Sequence, residues 1–435
     1  MIVPTKDIIE TLFDDSRIDK IKTAQRYYAN QNDVLERKRE VVGPDGRLVE
    51  SEFLSNNKLA HPFVNLFVEQ KVSYLLAKPF SITSDDQALA DRVTEVFNKE
   101  FTRTLRNVCR DAILCGLGWM MIYYDENGEL QFRRVMPDNI GAVYADEEKT
   151  ELLAVVRRYR YGDDWRYEVW DEYFCTVYEI KDGKLILLEK RGHFDEAGNG
   201  FGRIPFVSFA YNSRAISLLD FIKPIVDDYD KTSSDLSNLL EDTPNSTRIV
   251  KGYSGKVEEI VRNMAQYNLC VLDPDSDLST IPISVDVTAI EAHMARLRKD
   301  MFEAARAVDN QEASLGNLSG VAIKFRYSDL DLDCQQLGAE FAASLEKVAW
   351  FIADEMGGDH DPSSLDFIWA TEMIMNESEV ITNLVNSEGI LSLKTRVANH
   401  PYTTDADEEL EEIKKEKAQN DAYFPDSDSE NENEG

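Results

Sequence analysis

The first 115 residues carry apolar positions at the spacing of amphipathic helices. Apolar residues recur at intervals of three and four from Ile8 to Phe13, after Thr5, and this spacing places them on one helical face. Asn65–Leu76 repeats the pattern and should end before Pro79, because proline disfavours helical backbone in the residue before it. We therefore predict a mostly helical N-terminal part.

From residue 119 to residue 190 the pattern changes to that of strands. Runs rich in β-branched and aromatic residues, beginning with Trp119–Tyr124, alternate with short turns that contain glycine. Asn127-Gly128 is typical of a tight hairpin turn, because both residue types accept positive φ. We predict a β-meander of about six strands over 119–190. The glycine-rich string Gly198–Pro205 opens no helix, so we interpret it as a connection and not as a phosphate-binding loop.

Two long helices are predicted on either side of a small mixed segment. The first begins at a capping box at Ser217 and carries apolar residues along one side. The segment Arg248–Val287 alternates strand, helix and turn signals, which indicates an inserted α/β domain. A second capping box at Thr288 begins another helix of about 20 residues, some 30 Å long, with Val308 as its last apolar position.

A third long helix follows a polar break at 309–320. Its apolar residues recur at helical spacing from Leu330 to Met356, and Gly357-Gly358 should end it. The stretch Leu365–Asn399 is again predicted to be helical. From residue 405 onward, 13 acidic and 3 basic residues indicate an acidic tail that is low in complexity at its end, and we predict that 413–435 is disordered.

The overall charge limits the partners of the chain. With 43% apolar residues the 435-residue chain can bury a core, yet 81 acidic against 48 basic residues give a net charge of −33. Sequence-specific DNA binding needs a basic footprint and is disfavoured. Five cysteines without a CxxC pair favour a reducing compartment. The longest apolar stretch has 13 residues, too few to span a bilayer, so we expect a soluble intracellular protein with no membrane partner.

Each candidate catalytic or metal-binding motif is either absent or contradicted by the residues around it. The sequence contains no phosphate-binding GxxxxGK[ST] motif and no GxSxG motif. Asp329–Glu340 resembles a calcium loop in spacing, but Cys334 occupies the position that requires glycine. We therefore predict no catalytic residue, no metal site and no cofactor. A metal-dependent nuclease built from acidic clusters is the enzyme-class alternative.

Six local strings, in order along nearly the whole chain, resemble those of portal proteins of tailed bacteriophages of the long-tailed, siphovirus type. The strings are Asn56–His61 with Lys71–Pro79, Phe201–Phe206, Val226–Lys231, Lys251–Tyr253, Gly316–Phe325, and Gly389–Ser392 with Ala398–Pro401.

The resemblance implies an α+β portal architecture with long stem and tunnel helices, a β-meander wing and a small α/β clip insertion. It divides the chain into a wing at 1–215, a stem helix at 216–245, the clip at 246–287, a second stem helix at 288–309, a tunnel loop at 310–320, a tunnel helix at 321–358, a helical crown at 359–412 and the acidic tail at 413–435.

The resemblance also implies a function. Portal proteins form a ring, usually of twelve copies, at one capsid vertex, through which a separate terminase pumps double-stranded DNA. The implied partners are other copies of the chain, DNA held without sequence preference, the terminase large subunit, head–tail connector proteins, and capsid and scaffolding proteins. The implied location is the virion, and the host cytoplasm during assembly. The structural alternative is a capsid connector without a DNA conduit.

Candidate site residues follow from that division of the chain. The tunnel-loop candidates are Asn310, Gln311, Glu312, Ser314, Gly316, Asn317, Ser319 and Gly320. The tunnel-lining candidates are Arg296, Lys299, Arg306, Lys324, Arg326, Asp329 and Asp333. The clip candidates for terminase or connector contact are Arg248, Lys251, Tyr253, Lys256, Asp273 and Asp275.

The negative net charge suits a DNA conduit. Each basic side chain that neutralises a phosphate adds affinity for DNA, and an acidic protein makes few such contacts. Twelve copies at −33 each would carry −396. We therefore expect a mostly acidic tunnel with a few basic rings. For each basic candidate the alternative is an ion pair between subunits, and for the polar segment 309–318 it is an ordinary helix-to-helix loop.

Overall fold

The computed structural model describes residues 5–42, 46–50, 54–147, 151–195, 198–242, 247–251, 256, 277–281, 287–311, 320–370, 377–403 and 405–423. The chain divides into two compact units, of which one comprises 1–307 with 332–371 and the other 308–331 with 372–435. Helices and strands are both abundant, which confirms the α+β class.

The N-terminal part is mostly helical, as the sequence predicts. Its helices are α1 (Lys6–Leu12), α2 (Asp15–Tyr28), α3 (Phe63–Leu76), α4 (Gln87–Val96) and α5 (Lys99–Cys115), and its short strands are β1 (Glu40–Val42), β2 (Leu48–Glu50) and β3 (Ser81–Thr83). The Thr5 hydroxyl accepts the Ile8 N–H at 3.3 Å and so caps α1. The three short strands are absent from the sequence prediction, since three-residue strands leave no clear period.

The central strands form two antiparallel sheets, so the prediction of one meander over 119–190 is wrong in part: the last five strands of this range form a meander, whereas its first two belong to the other sheet. The strands are β4 (Leu117–Tyr124), β5 (Leu130–Val135), β6 (Ile140–Tyr144), β7 (Leu152–Tyr161), β8 (Asp164–Trp170), β9 (Phe174–Lys181), β10 (Lys184–Gly192) and β11 (Phe206–Ala210). One sheet has the order β11–β4–β5 and the other β10–β9–β8–β7–β6.

Strand β4 shows why the chain splits into two sheets. Met120 and Ile122 lie in the main core, whereas Trp119 and Met121 lie in a second core between the sheets. A strand buried on both faces reads as a continuous apolar run and not as an alternation, and its sequence therefore does not reveal which strands pair with it. The hairpin turn between β4 and β5 is confirmed, with Gly128 at φ +80°.

The glycine-rich string leads into strand β11 and not into a helix, as interpreted from the sequence. Gly198 and Gly202 have φ values of +98° and +68°, which L side chains rarely adopt. The turn directs Phe201 against the rings of Tyr124, Phe194 and Phe351, with centroid distances of 4.6 to 5.4 Å. The string is therefore a packed connection.

The long helices occur where the sequence places them. They are α6 (Leu218–Asp242), α7 (Val287–Ala304) and α8 (Gly320–Met356), and between α6 and α7 lie the paired strands β12 (Thr247–Lys251) and β13 (Asp277–Ile281). Ser217 Oγ accepts the Asp220 N–H at 3.2 Å, which confirms the first cap. Helix α7 begins at Val287, so Thr288 lies inside the helix and is not its cap.

Helix α7 ends at Ala304, before the predicted limit of 309. Arg306 adopts φ +49°, its N–H bonds to the Glu303 carbonyl at 3.1 Å, and the Ala307 N–H bonds to the Phe302 carbonyl at 2.9 Å. This pair of bonds is a Schellman motif, which ends a helix in the left-handed region. Arginine gives no sequence signal for it, because glycine normally occupies that position.

The predicted helix over Leu365–Asn399 is wrong in part. Asp366–Ile368 forms strand β14, antiparallel to β3, and Phe367 and Trp369 contact the Phe80 ring at 6.0 and 4.9 Å. The crown region 359–412 is therefore not wholly helical. The other unit contains the start of α8 together with α9 (Glu377–Asn386), α10 (Leu393–Ala398) and α11 (Ala406–Tyr423). The prediction of a disordered tail from residue 413 is therefore wrong for 413–423, and 424–435 lie outside the described residues. Lys394 on α10 bonds to Asp407 on α11 at 2.7 Å.

Candidate functional site: the anchored long helices and their exposed faces

Helix α6 is fixed along one face by buried polar side chains. Asp230, Ser234 and Asn238 are at most 1% exposed and recur every four residues, which aligns them on one side of a helix. We call these three residues the polar ladder. Burial of such groups is unfavourable unless each finds a hydrogen-bond partner, so their partners identify what the helix holds.

The partners of the polar ladder lie in the extended segment 56–61. Asp230 Oδ1 accepts the His61 N–H at 3.0 Å and contacts His61 Nδ1 at 2.7 Å. Ser234 Oγ accepts the Leu59 N–H at 2.9 Å, and Asn238 Oδ1 accepts the Asn57 N–H at 2.6 Å. Alternate backbone N–H groups of the segment therefore bond to successive turns of α6. Two of the portal-like strings, Asn56–His61 and Val226–Lys231, are in direct contact.

The N-terminal half of α6 is tied to the helical N-terminal part by a second set of bonds. The Lys223 ammonium lies 2.6 Å from Asp33 and 2.7 Å from Asp227. The Tyr27 hydroxyl donates to Asp227. Burial and that neighbouring carboxylate raise the pKa of Tyr27, and the two carboxylates raise the pKa of Lys223 despite its partial burial. Both groups therefore keep their protons, and Lys223 keeps its charge.

A buried cation joins α3 to the C-terminal end of α7 and to the interior of α8. Lys71 is 0% exposed, and its ammonium lies 2.6 Å from Asp333 Oδ2 and 3.4 Å from the Arg306 carbonyl. The Tyr211 hydroxyl donates to the same Asp333 oxygen at 2.8 Å, and Arg306 reaches Oδ1 at 3.4 Å. Burial and the carboxylate raise the pKa of Tyr211. We call Lys71, Tyr211, Arg306 and Asp333 the lysine cluster.

The lysine cluster explains why Arg306 adopts a left-handed backbone conformation. The residue ends α7, and its backbone carbonyl and its guanidinium both contact members of the cluster. The segment after α7 therefore starts from a fixed point. The sequence pattern predicts no role for Lys71, Tyr211 or Asp230, although a lysine among Val68, Val72 and Leu75 on an apolar helical face is a recognisable sign of a buried ion pair.

The structure separates the tunnel-lining candidates into two groups. Asp333 is buried, at 8% exposure, so its assignment to a tunnel surface is wrong for the protomer. Arg296, Lys324 and Asp329 have exposed side chains, and Arg326 is half-buried. Lys299 lies 3.7 Å from Glu303 in the same helix and Arg306 pairs with Asp333, so both have partners inside one subunit.

Most tunnel-loop and clip candidates lie outside the described residues. These are Glu312, Ser314, Gly316, Asn317, Ser319, Tyr253, Asp273 and Asp275. Asn310 and Gln311 form a turn after α7, and Gly320 is the first residue of α8 and not part of the loop. Arg248 and Lys251 lie on β12, and Lys256 is exposed.

The exposed faces of the long helices carry large apolar side chains. Phe221 and Leu240 on α6 are 51% and 60% exposed, and Phe325 and Leu332 on α8 are 76% and 61% exposed. Phe325 and Leu332 are seven residues apart, which is two turns and therefore the same side of a helix. Apolar groups of this size at recurrent helical positions are typical of surfaces that other chains cover.

The described residues offer neither a metal centre nor a membrane span. They contain no group of three or more histidine, cysteine or acidic side chains placed to hold a metal ion. Asp329–Glu340 lies within helix α8, so these residues do not form the loop that a calcium site requires. Across the described parts of the chain, every helix is too short or too polar to cross a bilayer.

Comparison with known proteins places the chain in a family. The family model described as "Phage portal protein, SPP1 Gp6-like" matches residues 13–423. The portal protein of Bacillus phage SPP1 is 26% identical over 435 residues, which covers 95% of this chain and 86% of that relative. The portal protein of Clostridium phage phiCD119 is 27% identical, over 91% of this chain and 92% of its own length. The match spans the anchored helices and both sheets, and the chain therefore belongs to the SPP1 Gp6-like family of phage portal proteins.

Proposed function

We propose that copies of this chain form a ring, of about twelve subunits, at one vertex of the viral capsid. The ring is the conduit for double-stranded DNA during terminase-driven packaging and during ejection, and it is the platform for head–tail connector proteins. The protein is a component of the virion and is present in the host cytoplasm during assembly. It has a structural role and performs no catalysis. The observation that carries the proposal is the family match over residues 13–423.

The anchored helices support the proposal of a ring. The polar ladder and the lysine cluster attach α6, α7 and α8 to the core through buried bonds, whereas Phe221, Leu240 and Phe325 face outward. Burial of such side chains against another subunit is favourable by about 1.5–3 kcal/mol each. Repetition of one heterologous contact around an axis closes a ring.

The charge supports the proposal of a conduit. A tunnel that holds DNA without gripping it must avoid many phosphate contacts, because each released counterion adds affinity. The exposed Arg296 and Lys324 are candidates for sparse basic rings, and the exposed Asp329 would offset them. In this proposal 216–245 and 288–309 are the stem, 246–287 is the clip that contacts terminase and connectors, and 310–320 is the tunnel loop.

The ring is tested by introducing a charge on one exposed apolar face. Leu240→Lys and Phe325→Lys should leave the circular dichroism of the protomer unchanged and reduce the fraction of ring particles in native mass spectrometry. Asn127→Lys, at the exposed tip of the β4–β5 hairpin, is the matched control and should assemble normally. Rings formed in full by both test variants would exclude these faces as subunit contacts.

The conduit is tested through the proposed tunnel loop. Deletion of four residues within 312–319 should leave ring assembly intact, because α7 and α8 are held independently by the lysine cluster, and should impair DNA packaging in a cell-free assay. Normal packaging would contradict a role of the loop at the DNA. A ring that lacks a bore of roughly 20 Å, the width of a duplex, would favour a connector without a conduit.

A further inference from the structure

An arginine-rich pocket is lined by β5 of the three-stranded sheet and by β7 and β8 of the five-stranded sheet, in a chain whose net charge is −33. The pocket has a volume of about 390 Å³. Its charged and aromatic lining, which we call the arginine pocket, consists of Arg133, Arg134, Arg157, Arg158, Arg160 and Trp165. Five guanidinium groups at one concave site are unexpected in a chain whose acidic residues outnumber the basic ones so strongly. Their positive charge would favour an anionic ligand in this pocket.

Two of the five arginines are neutralised by the fold. Arg134 forms a two-pronged pair with Asp111, and Arg157 lies 3.1 Å from Glu168. Within the described residues, Arg133, Arg158 and Arg160 have no carboxylate at ion-pair distance. The described acidic groups around these three arginines therefore lie beyond ion-pair distance.

The nearby acidic groups leave an excess of positive charge. Asp138 and Asp15 act on Arg158 through space without an ion pair. Asp163 and Asp164, in the turn between β7 and β8, form no ion pair with the pocket, and Arg160 bonds to the Asp163 carbonyl instead. Among the described residues, none of these three guanidinium groups is therefore neutralised by a direct ion pair.

Aromatic rings hold these guanidinium groups in place. Arg158 lies over the rings of Phe13 and Trp165, at 4.6 Å from each centroid, and Arg160 lies 4.1 Å from the Trp165 centroid. Arg133 lies 4.7 Å from the Tyr123 centroid. Stacking leaves the edge N–H groups of a guanidinium available to an anion. It also covers Trp165, so this ring is not free to stack on a nucleic acid base.

The sequence of the chain contains a segment that matches the pocket. Residues 424–435 lie outside the described part and carry five acidic residues and no basic one. The acidic residues are Asp426, Asp428, Glu430, Glu432 and Glu434, at every second position. In an extended chain alternate side chains share one face, about 6.6 Å apart. Arg158 and Arg160 are likewise two residues apart on β7, so they share a face with the same spacing.

We propose that the arginine pocket binds the acidic segment 424–435 of a second copy of the chain. Asp and Glu carboxylates at alternate positions bond to the free edges of Arg133, Arg158 and Arg160, and one segment links each copy to its neighbour. The inference rests on the proposed ring, which holds copies side by side and gives the segment a high effective concentration. A duplex is disfavoured because the concave site is narrow and the surrounding chain is acidic.

The pocket is tested without any dependence on the ring. The full-length chain carrying D426N, D428N, E430Q, E432Q and E434Q presents an unoccupied pocket to a fluorescent peptide of residues 424–435. Anisotropy should show binding that weakens as salt rises. Arg158→Glu with Arg160→Glu should lower the affinity at least about tenfold, whereas Arg103→Glu, an exposed control on α5, should not. Circular dichroism checks that the charge-reversed variant is folded. The milder pair Arg158→Gln with Arg160→Gln removes the positive charges without adding negative ones, so it separates loss of the binding site from unfolding.

Two results would overturn the proposal at this stage. One is equal binding of a peptide in which the five acids are replaced by amides. The other is a duplex of 30 base pairs that binds in the absence of peptide binding and loses affinity in the Arg158→Glu, Arg160→Glu variant. The second result would assign the pocket to nucleic acid.

The exchange between copies is tested in assembled protein. A photo-crosslinking residue at Ser429, in rings mixed from ¹⁴N and ¹⁵N chains, should give mixed-isotope cross-links to the β7–β8 region. Arg158→Glu with Arg160→Glu should abolish them, and Asp428→Lys with Glu430→Lys in the same chain should restore them. Cross-links confined to single-isotope pairs would contradict the assignment to a second copy. Absence of rings in native mass spectrometry would count against the proposed function and leave the peptide result unaffected.

Discussion

The charged groups in the interior of this protein differ from those in the arginine pocket. In the interior, Lys71 and Asp230 are enclosed and each contacts several matched partners. In the arginine pocket, Arg133, Arg158 and Arg160 are stacked on aromatic rings without a carboxylate at ion-pair distance among the described residues. Interior charges therefore hold the long helices in place, whereas the pocket arginines are oriented for a partner.

The largest expected loss of stability comes from breaking the lysine cluster. Asp333→Ala leaves the Lys71 ammonium and the Tyr211 hydroxyl buried without their acceptor, and should lower the free energy of unfolding by about 3–5 kcal/mol. Urea unfolding of the unassembled chain, followed by tryptophan fluorescence, measures it.

The double variant Lys71→Met, Asp333→Asn is the control for this prediction. It removes both charges and keeps an oxygen that can accept the Tyr211 hydroxyl, so most of the stability should return. A double variant as unstable as Asp333→Ala would show that packing, and not the unpaired charge, dominates at this position.

A smaller loss is expected from the polar ladder. In Asp230→Asn one acceptor oxygen becomes a donor that faces the donors of His61 and Asn32, which should reduce the free energy of unfolding by about 2–3 kcal/mol. Asp235→Asn is the matched control on the same helix, because Asp235 forms only an exposed pair with Arg37 at 2.6 Å and should change stability by less than about 1 kcal/mol. Equal effects of the two variants would contradict the ladder.

Acid should loosen the glycine-rich connection through His193. Burial lowers the pKa of His193 below its ordinary value of 6.5, and its Nδ1 accepts the Phe201 N–H at 3.4 Å. The unfolded chain therefore takes up this proton more readily than the folded chain. Stability contributed by the neutral ring is present above about pH 6.5 and falls as the pH drops through the folded-state pKa.

The readout for His193 is hydrogen exchange of the residues 193–202 between pH 7.5 and pH 5.5. Exchange free energies should fall in the native protein over this interval. In His193→Gln, which cannot be protonated, they should be lower at neutral pH but nearly independent of pH. A pH dependence that is the same in both proteins would assign the effect to another group.

The smallest effect on stability is expected in the arginine pocket. Arg158→Gln with Arg160→Gln removes three cation–π contacts of about 0.5–1 kcal/mol each and relieves mutual repulsion, so the net change in unfolding free energy should stay below about 2 kcal/mol. Peptide binding should nevertheless be weakened. A decrease of several kcal/mol in the free energy of unfolding, measured in urea, would show that these arginines stabilise the fold as Lys71 does. The contrast with Lys71 would then not hold.

The sequence predicts local features better than the packing of distant segments. Helices α3, α6 and α8 follow from periodic apolar residues, and the β4–β5 turn follows from Asn127-Gly128, because all of these signals lie within a few neighbouring residues. The pairing of β14 with β3 joins residues more than 280 positions apart, and short-range periodicity carries no information on it.

The same limit applies to the candidate site. Arg306 ends α7 because Lys71 and Asp333 hold it from other elements, and without those contacts the apolar spacing up to Val308 favours a longer helix. Asp333 looked like an exposed acid on a helical face, and only the position of Lys71 on α3 shows that it is buried. Resemblance to portal proteins identified the family, whereas the residues that anchor the helices required the structure.

The most direct test of the account is the mass and shape of the assembled particle. Native mass spectrometry combined with electron microscopy of the purified protein should show a ring near 595 kDa for twelve copies of 49.6 kDa, with an open central bore wide enough for a duplex. A compact dimer without a hole would contradict the proposed conduit.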